Sequence, residues 1–424
     1  MHGTCVTPGV SGKISETMKI EHSLQPAKHK KVAFITDSAD TPSFAQRILS
    51  GIAGYMQKRR GFVLQQIPFA EIANDTLNDR FDGIITNLCA KHTRNLLDVL
   101  GKTKLPIVDT GAEIGAPSLI RVDIDIVREG AMAAEWFLRR GFRNFAYCGF
   151  HGTTTYPFDE ILENAFASTV EKAGCQCLVF NMPPVTNEDK QYLHFVELAM
   201  EEWTATLPQR TAVFCIQDRR AAILAQTCLT LGRAVPDDIA IMGRINDITT
   251  CVCAPVPITS VNSNLEGQGY AAMRILANAI DNPVTPKLRP VFRIPPLGIV
   301  ERESTAVYPV DPPFLAKALL LLDENIERPL SATALAKAVG VSSTTLRAAF
   351  RKILGTSLGK YALSVRMHEA KRLMLEERFS VKEVAARTGF SSQAYFCYAY
   401  HAFYGQPPSQ SRIAKRVRTD SARG

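Results

Sequence analysis

One short pattern occurs twice in the last hundred residues, 49 positions apart: Leu335, Ala336, Gly340 and Ser342 return as Val384, Ala385, Gly389 and Ser391. Each copy runs from the apolar face of a helix to a glycine, where the chain turns with positive φ, and then to a serine suited to cap a following helix. That is the recipe of a helix-turn-helix, and two copies imply two DNA-reading helices on one rigid unit. The charge follows the repeat. From Asp311 to Gly424 there are 18 Lys and Arg against 9 Asp and Glu, net +9, whereas the other residues carry 31 against 32, net −1. The cationic excess of this +8 chain therefore sits at the end that has to neutralise phosphates. A solvated basic surface gives the same count, and the superposed repeat is what favours nucleic acid.

A chain of 424 residues is too long for one core, so two folded bodies are expected. From Lys31 onward apolar strands alternate with helical stretches: KVAFITD, FVLQQIP, FDGIITNL and LPIVDTG read as strands, Phe44 to Arg59 and Val127 to Arg140 as helices. A second series runs from Glu160 through LVF, TAVFCIQD and IAIMG to a helix around Gln268 to Ile280. Such strands suit parallel sheets covered on both faces, and a double series fits two lobes with a cleft between them. The expected fold is a bilobal α/β body followed by an all-α reader.

Ten cysteines include no C-x-x-C pair, so buried reduced thiols, no metal and no cofactor are expected. No segment reaches the roughly 18 uninterrupted apolar residues of a membrane helix, and the polar N-terminus lacks the apolar stretch of a secretory signal. A cytoplasmic location follows as an expectation, with residues 1–29 as a mobile extension and Met18 as an alternative start. An enzyme is the main competing class, but there is no G-x-G-x-x-G, P-loop, G-x-S-x-G or H-E-x-x-H. A free solute-binding protein has no use for a basic duplicated helix-turn-helix.

The segments GAMAAEWFLRRGFRNFAYCGF, TAVFCIQDRRAAILAQTCLTLGRAVPDDIAIMG, PITSVNSNLEGQGYAAMRIL and IVERESTA resemble the ligand-binding domain of LacI/GalR-type regulators, a periplasmic-binding-protein fold. Residues 335–350, the helix YALSVRMHEAKRLML and SVKEVAARTGFSSQAYFCYAYHAFYGQPPSQSR are similar to the AraC family of transcription regulators. Together they resemble the xylose-regulator subgroup. The resemblance implies a sensor at 30–306 that binds a sugar-class effector and dimerises, a linker at 307–313, an AraC-type DNA-binding domain at 314–413 and a basic tail at 414–424. It implies double-stranded DNA and a small-molecule effector as partners, a homodimer, RNA polymerase contact if the protein activates, and no membrane. In the sensor, the family's sugar-gripping Arg and Asp align with apolar Leu162 and Ile245, while Asp218 survives and Asn246 and Asp247 lie just beyond. Either the carboxylates are restored by a one-residue slip, or the ligand is less polar than a pentose, or the pocket is degenerate and the domain only dimerises.

Residue chemistry sharpens the reader. Ser380 and Glu383 form a capping box, and Ser342 and Ser391 are the expected caps of the two reading helices. In the first, Leu346 and Phe350 face the core, leaving Ser343, Thr344, Arg347, Ala348, Arg351 and Lys352 for DNA. In the second, Tyr395, Phe396 and Tyr400 are assigned to the core, and Ser392, Gln393, Ala394 and Cys397 to DNA, with Arg412 as a further phosphate contact. Arg347 and Gln393 are the expected base readers, through bidentate contacts to guanine and adenine, or else touch phosphate alone. The second helix departs from the family by carrying Tyr398 and His401 where cations are common, so phosphate anchoring falls to Arg412, Lys415, Arg416 and Arg418, or the tail is a disordered extension. For the effector, Asp37, His151, Gln217, Asp218, Asn246 and Asp247 are candidates; Asp37 and His151 follow strands where open sheets place ligands, or cap the next element instead. Trp136 is assigned to the core.

Overall fold

The computed structural model describes residues 29–36, 42–68, 72, 77–87, 100–101, 103–111, 119–150, 157–180, 192–282, 290–375 and 379–409. In β1 (Lys30–Thr36), four consecutive residues, Val32, Ala33, Phe34 and Ile35, have no exposed surface. Successive side chains of a strand point to opposite faces, so both faces of this sheet are covered. The other strands of the first sheet are β2 (Phe62–Pro68), β3 (Gly83–Asn87), β4 (Ile107–Asp109), β5 (Ile120–Ile124) and β11 (Val291–Ile294), in the order β11-β5-β4-β3-β1-β2 and all parallel. The second sheet repeats the plan with β6 (Asn144–Cys148), β7 (Cys177–Val179), β8 (Thr211–Cys215), β9 (Ile239–Arg244), β10 (Thr259–Asn262) and β12 (Gly298–Val300), ordered β12-β10-β9-β8-β6-β7 with β12 antiparallel. Each has a switch point beside its first strand, at whose carboxyl edge such sheets bind ligands.

Helices α1 (Pro42–Lys58), α2 (Leu77–Arg80) and α8 (Leu265–Asp281) belong to the first lobe. A Cβ on Gly51 of α1 would lie 2.0 Å from the Glu266 carbonyl oxygen, and one on Gly269 of α8 equally close to that of Ile48, so these two helices touch backbone to backbone. Helices α3 (Ile126–Arg140), α4 (Pro157–Glu171), α5 (Tyr192–Thr206), α6 (Asp218–Thr230) and α7 (Ile248–Cys253) cover the second lobe. The chain passes between lobes at Asp125, at 263–264 and at 295–297, and hydrogen bonds tie the passages together: Asp125 N donates to Ile294 O and Leu297 N to Asn262 O. Aligned beside one another, these passages form a hinge.

The reader is all helical: α9 (Pro313–Glu324), α10 (Ala332–Ala338), α11 (Ser343–Leu354), α12 (Leu358–Leu375), α13 (Val381–Arg387) and α14 (Gln393–Tyr404). Leu335, Leu346 and Phe350 build the first core with Tyr308 and Val310; Val384, Phe390, Phe396 and Tyr400 build the second. The long helix α12 enters both, through Tyr361 at one end and Met367, Ala370 and Met374 at the other. Both turn glycines are left-handed, with φ of 75° at Gly340 and 71° at Gly389. Arg366 of α12 donates to the carbonyls of Thr388 and Gly389, fixing the second turn to the connecting helix. The described cysteines are free thiols, with Cys148, Cys215, Cys228 and Cys251 buried.

Candidate nucleic-acid interface and effector site

The first reading helix forms as its residues dictate. The Ser342 hydroxyl accepts the Thr345 N–H at 3.0 Å, and Gly355 closes the other end in the left-handed region. Leu346 and Phe350 are fully buried, whereas Thr344, Arg347, Ala348, Arg351 and Lys352 are exposed and Ser343 is half-buried. One basic face is thus held out by one apolar stripe.

The second helix corrects three assignments. Its cap is Ser392, whose hydroxyl accepts the Tyr395 N–H at 3.4 Å, and not Ser391. The helix begins one residue later than strict repetition requires, so the buried stripe falls on Phe396, Ala399 and Tyr400. Tyr395 is 59% exposed and is not core, while Cys397, assigned to DNA, is half-buried against the second core. Gln393 and Ala394 are exposed, as is Ser392 although its oxygen serves the cap. Tyr398, at 72% exposure, completes a neutral, aromatic outer face. The capping box at Ser380 and Glu383 is present. Arg412 lies outside the described residues, as do Lys415, Arg416 and Arg418.

Of the effector candidates, Asp37 and His151 lie outside the described residues. The others gather at the carboxyl ends of β8 and β9. Gln217 precedes α6 without a side-chain cap bond. Asp218, 2% exposed, accepts from the Ser260 hydroxyl at 2.5 Å and the Asp247 N–H at 2.7 Å, and burial pushes its carboxyl up to about 6. Asn246 receives Arg302 at its side-chain oxygen, and Asp247 caps α7 by accepting from Thr249 N and Thr250 N. The acceptors singled out for a sugar therefore already serve the protein. Leu162, placed by alignment at a sugar-gripping position, is fully buried in the core that α4 shares with α3, and its carbonyl would lie 2.8 Å from a Cβ on Gly130. Ile245 is 4% exposed and carries φ of 96°, followed by Asn246 at 60°. A β-branched residue in that region is strained, and such strain clusters at ligand sites.

Three features of the two lobes were not singled out in the sequence. Arg47 of the first lobe reaches across to the Ile245 and Asn246 carbonyls of the second, and its other nitrogens meet Glu266 and Asn262. Arg244 and Glu129 form an ion pair at 2.6 Å with 3% and no side-chain exposure. Asp109 ends β4 fully buried, accepts the Thr86 hydroxyl at 2.7 Å, and is pushed up by burial to about 7. The strand-ending signal that drew attention to Asp37 applies equally to Asp109 in LPIVDTG. Arg47 and Glu129 left no signal, since a polar residue on an amphipathic helix reads as solvated. Trp136 is buried, as assigned, with Arg140 over its ring at 4.1 Å and its N–H donated to Glu301.

Two hinged parallel-sheet lobes joined to a duplicated helix-turn-helix give the chain the architecture of a DNA-binding regulator, a helix-turn-helix reader behind a periplasmic-binding-protein-like body. Residues 113–305 match the periplasmic binding protein-like domain and residues 335–413 the helix-turn-helix domain. The chain is homologous to the Xylose operon regulatory protein of Escherichia coli (strain K12), 22% identical over 378 residues that cover 87% of this chain and 94% of that protein. Among solved structures, a xylose-binding transcription activator superposes with a TM-score of 0.57 at 20% identity, covering 91% of this chain and 98% of that one. A LacI family transcriptional regulator from Enterococcus faecium with bound ribose superposes with a TM-score of 0.53 at 20% identity, over 66% of this chain and all of the other. Among the described residues no helix is long and apolar enough to cross a membrane, and no cluster of three metal-ligating side chains occurs.

Proposed function

We propose that this protein is a cytoplasmic, homodimeric DNA-binding regulator that controls carbohydrate-catabolism genes in response to a sugar held between its lobes, and that it catalyses no reaction. The observation that carries the reading is the exposed basic face of α11, with Arg347, Arg351 and Lys352 held out by a capped helix that the chain repeats. In this reading residues 30–306 sense and dimerise, 307–313 link, and 314–413 read DNA. Helix α12, 18 residues and so roughly 27 Å long, spaces the reading helices for successive major grooves on one face, about 34 Å apart. A pentose-class effector is supported by the relatives, whose names record xylose and ribose. If the protein activates, RNA polymerase is a further partner.

The effector works by differential affinity: a sugar that contacts the lobes better at one hinge angle shifts the population toward it. Arg47 would be sensitive to that angle because its partners lie in both lobes. A second reading, a sensor used only for dimerisation, draws on the internal engagement of Asp218, Asn246 and Asp247. Gel-shift of Arg347→Ala against selected and scrambled DNA tests the first reading: loss of about 1–3 kcal/mol on the selected sequence alone is expected for a base contact. Equal loss on both sequences would reduce Arg347 to a phosphate contact. A melting-temperature screen with pentoses, hexoses and sugar acids separates the two readings, since a ligand at 100 times its dissociation constant stabilises by about 2.7 kcal/mol.

A further inference from the structure

Where the sensor meets the reader, α3, the passage into β12 and helices α12 and α14 line a cavity of about 480 Å³. Small-molecule pockets span about 300–1,000 Å³. The charges in its wall do not cancel. Arg140 is taken by Glu301 and Asp323, Arg128 by Glu135, and Arg372 by Glu369. Those pairs engage every carboxylate of the wall and, among the described residues, leave two cations, Arg139 from the sensor and Lys371 from the reader, without an ion pair. Arg139 spends its Nε on the Glu135 carbonyl at 3.3 Å, and Lys371 lies over the Tyr404 ring at 4.9 Å. His368 stands beside them and is held neutral, pushed down to about 3 by burial and by Arg139. Burial also holds Arg139 and Lys371 below their usual values, with Arg128 repelling Lys371 and Glu135 only partly offsetting it.

Desolvated cations without an ion-pair partner are costly, and an anion between them relieves both. We propose that this cavity is a second ligand site, separate from the interlobe cleft, for a small molecule bearing a compact dianion, a phosphate monoester or a dicarboxylate. One of its cations belongs to each domain, so an occupant fastens reader to sensor. By linkage, whatever favours that docking on DNA changes the affinity for the anion by the same factor.

The test is thermal melting of the full chain at constant ionic strength in rising inorganic phosphate, ribose 5-phosphate or succinate, a readout that needs neither DNA nor a neutral sugar. A saturable rise with at least one of these probes is expected. Lys371→Gln and Lys371→Met, the latter retaining the packing on Tyr404, should raise the half-saturating concentration roughly tenfold. Lys371→Arg should restore it, and Arg347→Ala, on the DNA-facing α11, should leave it unchanged. A response to both phosphates and not to succinate would assign the headgroup to phosphate; the reverse would assign it to carboxylate. The proposal is overturned by no saturable rise with any probe, by a rise that both uncharged Lys371 variants retain, or by one that Arg347→Ala abolishes, which would place the anion on the DNA-binding face.

Discussion

The two turn glycines share a backbone conformation but not surroundings, and this separates their substitution by alanine. Both are left-handed, where an L-residue with a Cβ costs about 1–2 kcal/mol, and this is the whole effect expected at Gly340, whose added Cβ meets nothing within 4 Å. At Gly389 the same Cβ would lie 2.6 Å from the Ile326 carbonyl oxygen and from the Pro329 ring. Neither neighbour is the free end of a flexible side chain, so the loop after α9 has to move, adding about 1–3 kcal/mol for overpacking. Gly340→Ala should therefore cost about 1–2 kcal/mol and Gly389→Ala about 2–5 kcal/mol. Native-state amide hydrogen exchange measures this locally, with α10 and α11 reporting one repeat and α13 and α14 the other. Equal losses, or a larger loss at Gly340, would refute the claim that the second turn is wedged against the loop and the first is free.

Arg47→Ala removes charged hydrogen bonds to the Ile245 and Asn246 carbonyls and to Glu266, and should lower stability by about 2–3 kcal/mol in urea unfolding; a neutral result would mean that the lobes do not need this bridge. Asp109, raised by burial to about 7, binds its proton more tightly in the folded chain than in the unfolded one. Its contribution is full below the unfolded value near 3.8 and is lost as pH rises to about 7, on the order of 4 kcal/mol, so Asp109→Asn should flatten the fall in stability between about pH 4 and 7. If the variant's profile parallels the original, Asp109 does not carry that proton. On DNA, Arg351→Ala should reduce the slope of log affinity against log salt by about 0.9, whereas Tyr398→Ala on the uncharged face of α14 should leave it unchanged. A Tyr398 variant with a lower slope would contradict the division of labour between the two helices.

The architecture was legible because its signals are local and repeated. Val32 to Ile35 are buried on both sides, as a sheet covered on both faces requires, and the 49-residue repeat carries its glycines with it. Reading the helix as an exact repeat failed by one residue at Ser392, since where a helix starts depends on which serine the packing of Phe396 and Tyr400 leaves nearest its first N–H groups. That shift turned Tyr395 outward. In the sensor, alignment to a motif identifies the strand ends but not which side chains the core takes, so Leu162, aligned with a sugar-gripping position, lies buried in the core beside Gly130. Asp218 and Asp247 drew attention as polar residues at such ends, yet which atoms they satisfy depends on Ser260, Thr249 and Thr250. The Arg47 bridge spans about 200 residues of sequence and no pattern along the chain encodes it.

Sugar-linked DNA reading is the centre of this account, and it is tested most directly by selecting binding sequences from random double-stranded DNA with the full chain, then titrating the selected fragment by fluorescence anisotropy with and without saturating d-xylose. The expected result is an enriched site with two elements about one helical turn apart, whose affinity changes at least several-fold with the sugar and is lost selectively in Arg347→Ala. A failure to enrich any sequence would contradict the reader, and an enriched site whose dissociation constant is the same with and without the pentose would contradict pentose-linked reading.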